Sequence, residues 1–188
     1  MKDQSIEKKN NGFIEKGSRA SCFCYEWIEL ISQSLIFVVF ALAFVFRIFT
    51  VQGKSMLNTL HNGDKIFVWK YNYTPNNGDV VVIRKYSMMN SPIVKRVIAV
   101  EGQTLSIDFE SGSVNVDGKK INETYIKDLT RYQGDAEIPS VIPKGSVFVM
   151  GDNRQGSTDS RDIGPIPKEF IEGRAIYILY PFYRINSI

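Results

Sequence analysis

The run GDNRQGSTDSR, residues 151 to 161, follows directly on the apolar stretch GSVFVM. A segment this rich in hydrogen-bonding groups is either a solvated surface loop or a polar clamp that holds another group still. What it would hold follows by elimination. A Ser-His-Asp triad needs a histidine, and the chain has one, His61, in the turn-like LHNGD. Its two cysteines, Cys22 and Cys24, lie near the N-terminus, are too close in sequence to bridge each other easily, and read as free thiols. No cluster of His, Cys or acid has metal-ligand spacing and no glycine-rich phosphate loop is present, so neither metal nor cofactor is expected. If this chain breaks covalent bonds, serine with lysine is the remaining pair.

Lysine acts as a base only when neutral. Its ordinary pKa is about 10.4, and a useful base at neutral pH titrates at about 7–8. The drop comes from burial away from water. SPIVKRVIAV supplies Lys95 between Ile93-Val94 and Val97-Ile98. Strand alternation sends Lys95 and Arg96 to opposite faces, so one points inward while the other meets solvent or an acid. The candidate serine is Ser55 in VQGKSMLNTL, where Gly53 marks a break in regular structure and leaves amide hydrogens available to an oxyanion. By these residues alone, a solvated strand lysine and a loop or capping serine account for the same pattern.

Two kinds of element must position these groups. Leu35 to Phe46 contains no polar residue, and the apolar character extends from Trp27 to Val51 with few interruptions. About 20 apolar residues cross a bilayer core. The stretch reads as an uncleaved membrane anchor with Arg47 snorkelling at one boundary, because no small-x-small cleavage site follows in RIFTVQGK. The expected organisation is a cytoplasmic tail over residues 1–27, an anchor with its flanks over 28–51, and an extracytoplasmic domain over 52–188. Lysines and arginine in the tail favour a cytoplasmic N-terminus.

Beyond Val51 the sequence predicts an all-β barrel or sandwich-like domain. DKIFVWKYNY, GDVVVIRKY, SPIVKRVIAV, TLSIDF, GSVFVMGD and GRAIYILYPF are short runs rich in Val, Ile, Tyr and Phe, punctuated by turn residues. VNVDGKKI predicts a hairpin around Asp117-Gly118, and residues 104–143 read as a hairpin-rich insertion. The charge balance, 23 basic against 20 acidic residues, with no basic stripe, argues against nucleic acid as a partner. A monomer is expected.

Three stretches, in order, resemble the bacterial type I signal peptidases, which are Ser-Lys proteases. SMLNTL is similar to the family's serine box, KRVIAVEGQ to its lysine box, and GDNRQGSTDSRDIG to its third box almost residue for residue. The resemblance implies a membrane-bound endopeptidase that removes signal peptides from preproteins after small residues of the Ala-x-Ala kind. It implies Ser55 as nucleophile, Lys95 as general base, Ser157 as a hydrogen-bond partner of the lysine amine, and Asp159 with Arg161 as a brace. Asp152 is expected to pair with Arg96 across the lysine strand, and the Ser55 amide to serve the oxyanion. Ile48, Phe49, Val51, Ile93 and Val94 are expected to line shallow pockets for the substrate's small side chains. The expected partners are preprotein signal peptides and the lipid bilayer.

Two positions depart from the family pattern. Asn58 stands where the serine box usually has proline, and Gly53 stands where some relatives place a serine that helps the oxyanion hole. A specialised Ser-Lys processing peptidase with few substrates and an inactive anchored β domain are the alternative readings. A self-cleaving repressor is disfavoured, because no DNA-binding helix pair precedes the β region.

Overall fold

The computed structural model of the chain describes residues 25–40, 42–86 and 91–188. Cys22, Cys24 and almost all of the expected cytoplasmic tail lie outside them. The chain divides into two compact units, residues 1–44 and 45–188.

In the first unit, helix α1 runs Tyr25–Val45 and is long and apolar enough to cross a membrane. It holds no glycine or proline. Its hydroxyls turn back on the helix: Ser32 Oγ donates to Glu29 O at 2.8 Å and Ser34 Oγ to Ile31 O at 2.9 Å. Such bonds satisfy a polar group that an apolar medium would leave bare.

The apolar run that extends to Val51 is not helical throughout. The helix stops at Val45, and Phe46–Thr50 form strand β1, which pairs antiparallel with β2 (Lys65–Trp69) from Phe46↔Trp69 to Thr50↔Lys65. Arg47, expected at the membrane boundary, lies in β1 with Nη1 3.5 Å from Glu172 Oε2. Apolar composition does not separate a helix from a strand. The aromatic and β-branched residues of FRIFT suit a pleated surface, where Phe46 stacks on Phe67 at 4.5 Å.

The second unit is mainly β. Beside β1 and β2, its main sheet contains β3 (Val80–Ile83), β4 (Ile93–Val100), β8 (Ser146–Met150), β9 (Ile166–Pro167), β10 (Ile171–Tyr180) and β11 (Asn186–Ser187). The strand order is β1-β2-β10-β3-β4-β8-β9, with β11 on β10, and every pairing is antiparallel. The sheet curls, so that Phe49 of β1, Val82 of β3 and Val94 of β4 line one cleft. Alternate residues feed separate cores. Val51, Met56, Leu60, Ile66, Val68, Val80 and Val82 fill one, and Val81, Ile83, Val97, Val147 and Val149 fill another.

Between β4 and β8 lies a smaller sheet of β5 (Leu105–Asp108), β6 (Ser113–Val116) and β7 (Lys119–Lys120). Asp117 and Gly118 adopt φ of 51° and 72°, the positive pair that a two-residue hairpin of this twist requires.

Candidate active site

Lys95 sits in β4 opposite Val81 of β3, and Arg96 opposite Val80. Val81 and Val80 belong to different cores, so the alternation expected for Lys95 and Arg96 holds. Lys95 is only 2% exposed, and its Nζ donates to Ser55 Oγ at 2.8 Å. Burial pulls its pKa down to about 8; nearby Asp159 opposes that shift and Arg161 reinforces it. An amine that titrates there is substantially neutral in mildly alkaline solution.

Ser55 lies in the loop between β1 and β2. Leu60 N–H donates to Met56 O at 2.8 Å, closing one helical turn, and both side chains sink into the core. Their burial fixes the turn and leaves the preceding Ser55 at its lip. Ahead of it Gly53, at φ 88°, donates its N–H to Asn62 Oδ1 at 2.9 Å. Asn58 adopts φ 87°. Proline, locked near −65°, does not reach that conformation, whereas asparagine tolerates it.

The polar run 151–161 meets this loop directly. Asn153 donates from its backbone to Ser55 O at 2.9 Å and from Nδ2 to Lys54 O at 3.1 Å. Gly151 is packed so closely that an added Cβ would lie 2.2 Å from Ser157 Oγ and 2.5 Å from Ser55 O. Asp152, fully buried, receives Arg96 Nε at 2.8 Å and Nη2 at 2.7 Å, and Thr59 Oγ1 donates to it at 2.5 Å. Asp159, also fully buried, receives Arg161 Nε at 2.9 Å, Arg161 Nη2 at 2.8 Å and the Gly151 N–H at 2.9 Å. Burial by itself raises the Asp159 pKa, but the hydrogen bonds and charge of Arg161 outweigh it and hold the carboxyl below its ordinary range. Asp159 also caps α2 (Ser160–Ile163) in a reciprocal capping box with Asp162.

The other expected residues take the following places. Ser157 Oγ is buried against Gly151 with no hydrogen bond to the lysine amine, and it helps instead to hold the Asp159 carboxyl low. Of the residues expected to line substrate pockets, Phe49 and Val94 share a cleft of about 240 Å³ with Thr50, Gln52, Val82, Ser91 and Pro92, but Val51 and Ile93 do not. Val51 is buried in the core and Ile93 packs on the opposite side of the sheet, against the core of Val81 and Ile83. Ile48 likewise does not line that cleft and is largely exposed. Apolarity and closeness to Ser55 or Lys95 suggested all five; in β4 the period of two separates Val94 from Ile93, whereas Val51 sinks into the core on which Phe49 and Val94 pack.

Other contributors were not singled out from sequence. Thr59, Asn153 and Arg154 sit inside the quoted motifs, where a count of hydrogen-bonding side chains would have found them. Tyr125 and Thr130 come from the segment between β4 and β8 and carry no local signal. Arg154 is fully buried, donating to Gly151 O at 3.0 Å and Thr130 Oγ1 at 2.5 Å.

The arrangement joins a hydroxyl to a buried amine of lowered basicity, on a loop whose carbonyl and flanks are tied down. It can deprotonate an alcohol and direct it at an electrophile. Comparison with known proteins points the same way. A profile of the family described as "Signal peptidase, peptidase S26" matches residues 24–180. Signal peptidase I of Bacillus licheniformis is 33% identical over 185 residues, covering 92% of this chain and 97% of the relative. Signal peptidase I P of Bacillus subtilis subsp. natto is 35% identical over 184 residues, covering 92% and 98%. A probable signal peptidase I-1 of Synechocystis is 35% identical over 170 residues, covering 82% and 84%.

Proposed function

The chain belongs to the signal peptidase family, peptidase S26, a family of serine endopeptidases, and from that premise we propose that it cleaves signal peptides from preproteins with Ser55 as nucleophile and Lys95 as general base. The observation that carries this reading is the 2.8 Å hydrogen bond between Lys95 Nζ and Ser55 Oγ at a nearly inaccessible amine.

Neutral Lys95 takes the proton of Ser55 as Oγ attacks the scissile carbonyl. The resulting ammonium gives that proton to the leaving amine as the C–N bond breaks, leaving an acyl-serine. Water then attacks the ester with Lys95 again accepting a proton, and the carboxylic acid product departs as Ser55 regains its hydrogen. The backbone N–H of Ser55 serves the oxyanion. Gly53 contributes no hydroxyl, so the hole relies on backbone and solvent donors.

The substrate binds as an extended strand. Among the described residues β1 pairs only with β2, and Ile93–Lys95 pair with β3 while β8 begins its pairing at Arg96. Two unpaired strand edges therefore flank the cleft of Phe49 and Val94, and a peptide entering it hydrogen-bonds through its backbone. The cleft accommodates small side chains, which fits cleavage after Ala-x-Ala. Helix α1 anchors the enzyme in the bilayer with the tail in the cytoplasm and the β unit outside, where signal-peptide cleavage sites emerge.

The test uses the full chain in detergent with a preprotein that carries an Ala-x-Ala site. The parent releases the mature protein, and Ser55→Ala and Lys95→Ala each abolish release while keeping the parent's circular dichroism. Cleavage by both variants at the parent's rate would overturn the assignment.

A further inference from the structure

Three buried arginines surround the candidate site, and each has partners on two sides. Arg96 holds Asp152 with two hydrogen bonds, and its guanidinium carbon lies 4.0 Å from the ring centroid of Tyr125. Arg154 donates to Gly151 O, and on its other side it meets Thr130 Oγ1 at 2.5 Å and Glu123 Oε1 at 2.6 Å. Arg161 grips Asp159, and its Nη1 donates to Tyr132 O at 3.0 Å. The outer partner comes every time from one stretch without regular secondary structure, 123–132. Backbone contacts continue the same seam: Gln155 Nε2 donates to Leu129 O at 3.0 Å and Ala136 N–H to Arg161 O at 2.8 Å. Gly134 lies so close that a Cβ there would be 2.2 Å from Arg161 O.

We propose that residues 123–136 form a strap that positions the Ser55–Lys95 pair through Arg96, Arg154 and Arg161, with Tyr125 as its principal positioning residue. The inference rests on the Ser-Lys reading above. Arg96 follows Lys95 in β4, at the point where pairing with β8 begins, so among the described residues the strand on the Lys95 side of it pairs with β3 alone. The stack of Tyr125 closes the open face of the Arg96 guanidinium, a contact that is strong where water is excluded.

The strap also governs the charges that Lys95 feels. Asp159, Asp152 and Asp162 favour its ammonium form, and Arg161 opposes it. Each of those carboxylates is occupied: Asp152 by Arg96, Asp159 by Arg161, and Asp162 by the Tyr132 hydroxyl at 2.8 Å and the Asp159 N–H at 2.9 Å. Loosening the strap frees these acids toward the amine and admits water to it. Both changes favour the protonated, inactive lysine.

The experiment compares pH–rate profiles of the full chain in detergent for the parent, Tyr125→Phe and Tyr125→Ala, on the same preprotein. Tyr125→Phe keeps the ring face and retains the parent's profile. Tyr125→Ala lowers kcat about tenfold, leaves KM within about twofold, and moves the midpoint of the rising limb to higher pH. Tyr125→Leu, which keeps bulk without a ring face, is read in the same way if Tyr125→Ala does not fold. A folded ring-less variant with the parent's kcat and midpoint overturns the strap, as does a loss that follows melting temperature with the midpoint unmoved. Activity surviving Ser55→Ala would instead overturn the dyad itself, a result that Tyr125 variants do not affect.

Discussion

Arg96 clasps Asp152 with two hydrogen bonds, at 2.8 and 2.7 Å, while its neighbour in β4, Lys95, reaches Ser55 on the other side of the strand. One strand thus carries two basic side chains in different settings: Arg96 is paired with a carboxylate, and Lys95 is driven toward neutrality by burial beside a hydroxyl.

The paired cation makes the first prediction. Removing one partner of a buried ion pair strands a charge, at about 3–5 kcal/mol. Asp152→Ala and Arg96→Ala should each lower stability by that order in urea denaturation. The double variant Asp152→Leu/Arg96→Met should lose less than the sum, because no charge is left uncompensated. Additive losses would show that the two side chains are not coupled.

The buried amine makes the second. With the Lys95 pKa lowered to about 8, cleavage should rise with pH through that value, because the neutral form is the base. The stability effect has a definite sign. The folded pKa lies below the unfolded one, so the unfolded chain binds more protons between about pH 8 and 10.5 and stability rises across that window. Below it the cost of burying the ammonium is fully present. Lys95→Met should abolish cleavage yet raise stability on the order of 2 kcal/mol at pH 7, with the gain shrinking toward pH 10. A stability difference constant from pH 7 to 10 would contradict a desolvated lysine.

Close packing at Gly151 makes the third. A methyl group there would meet Ser157 Oγ and the Ser55 carbonyl well inside van der Waals contact. Gly151→Ala should displace the Ser55 loop, costing about 1–3 kcal/mol in stability and roughly a hundredfold in kcat/KM. Adding Ser157→Gly should relieve only part of the loss, since the Ser55 carbonyl stays in the way. Full recovery of activity in that double variant would place the clash at Ser157 alone.

The fourth concerns Asn58. Its φ of 87° suits glycine and excludes proline. Asn58→Gly should match the parent in melting temperature and rate. Asn58→Pro, although it restores the residue usual in the family's serine box, should lower both. Equal activity for the proline variant would mean that the turn reshapes freely around Ser55.

Much of the fold could be read locally. The Asp117-Gly118 hairpin, the short β-branched strands and a helix whose stretch from Leu35 onward is wholly apolar are properties of neighbouring residues, and local chemistry decides them. The end of the helix was not local in this sense. Phe46 to Thr50 continue the apolar run with only Arg47 and Thr50 interrupting it, and pairing with β2, whose Lys65–Trp69 lie beyond the Ser55 loop, makes them a strand.

By itself the sequence limited the chemistry available: one distant histidine, no thiol beyond Cys24, and serine with lysine as the remaining pair, with Ser55 and Lys95 as its candidates and GDNRQGSTDSR as a polar run of unassigned partner until the family resemblance is added. Tertiary structure decided which groups actually meet. It joined Ser55 to Lys95 across 40 residues and Arg96 to Asp152 across 56. It withdrew Val51 and Ile93 from the cleft, left Ser157 without the lysine, and laid Tyr125 over Arg96. Residue type fixes what a side chain can donate, accept or exclude. Strand register and the curl of the sheet fix where it points, and both depend on partners far away in the chain.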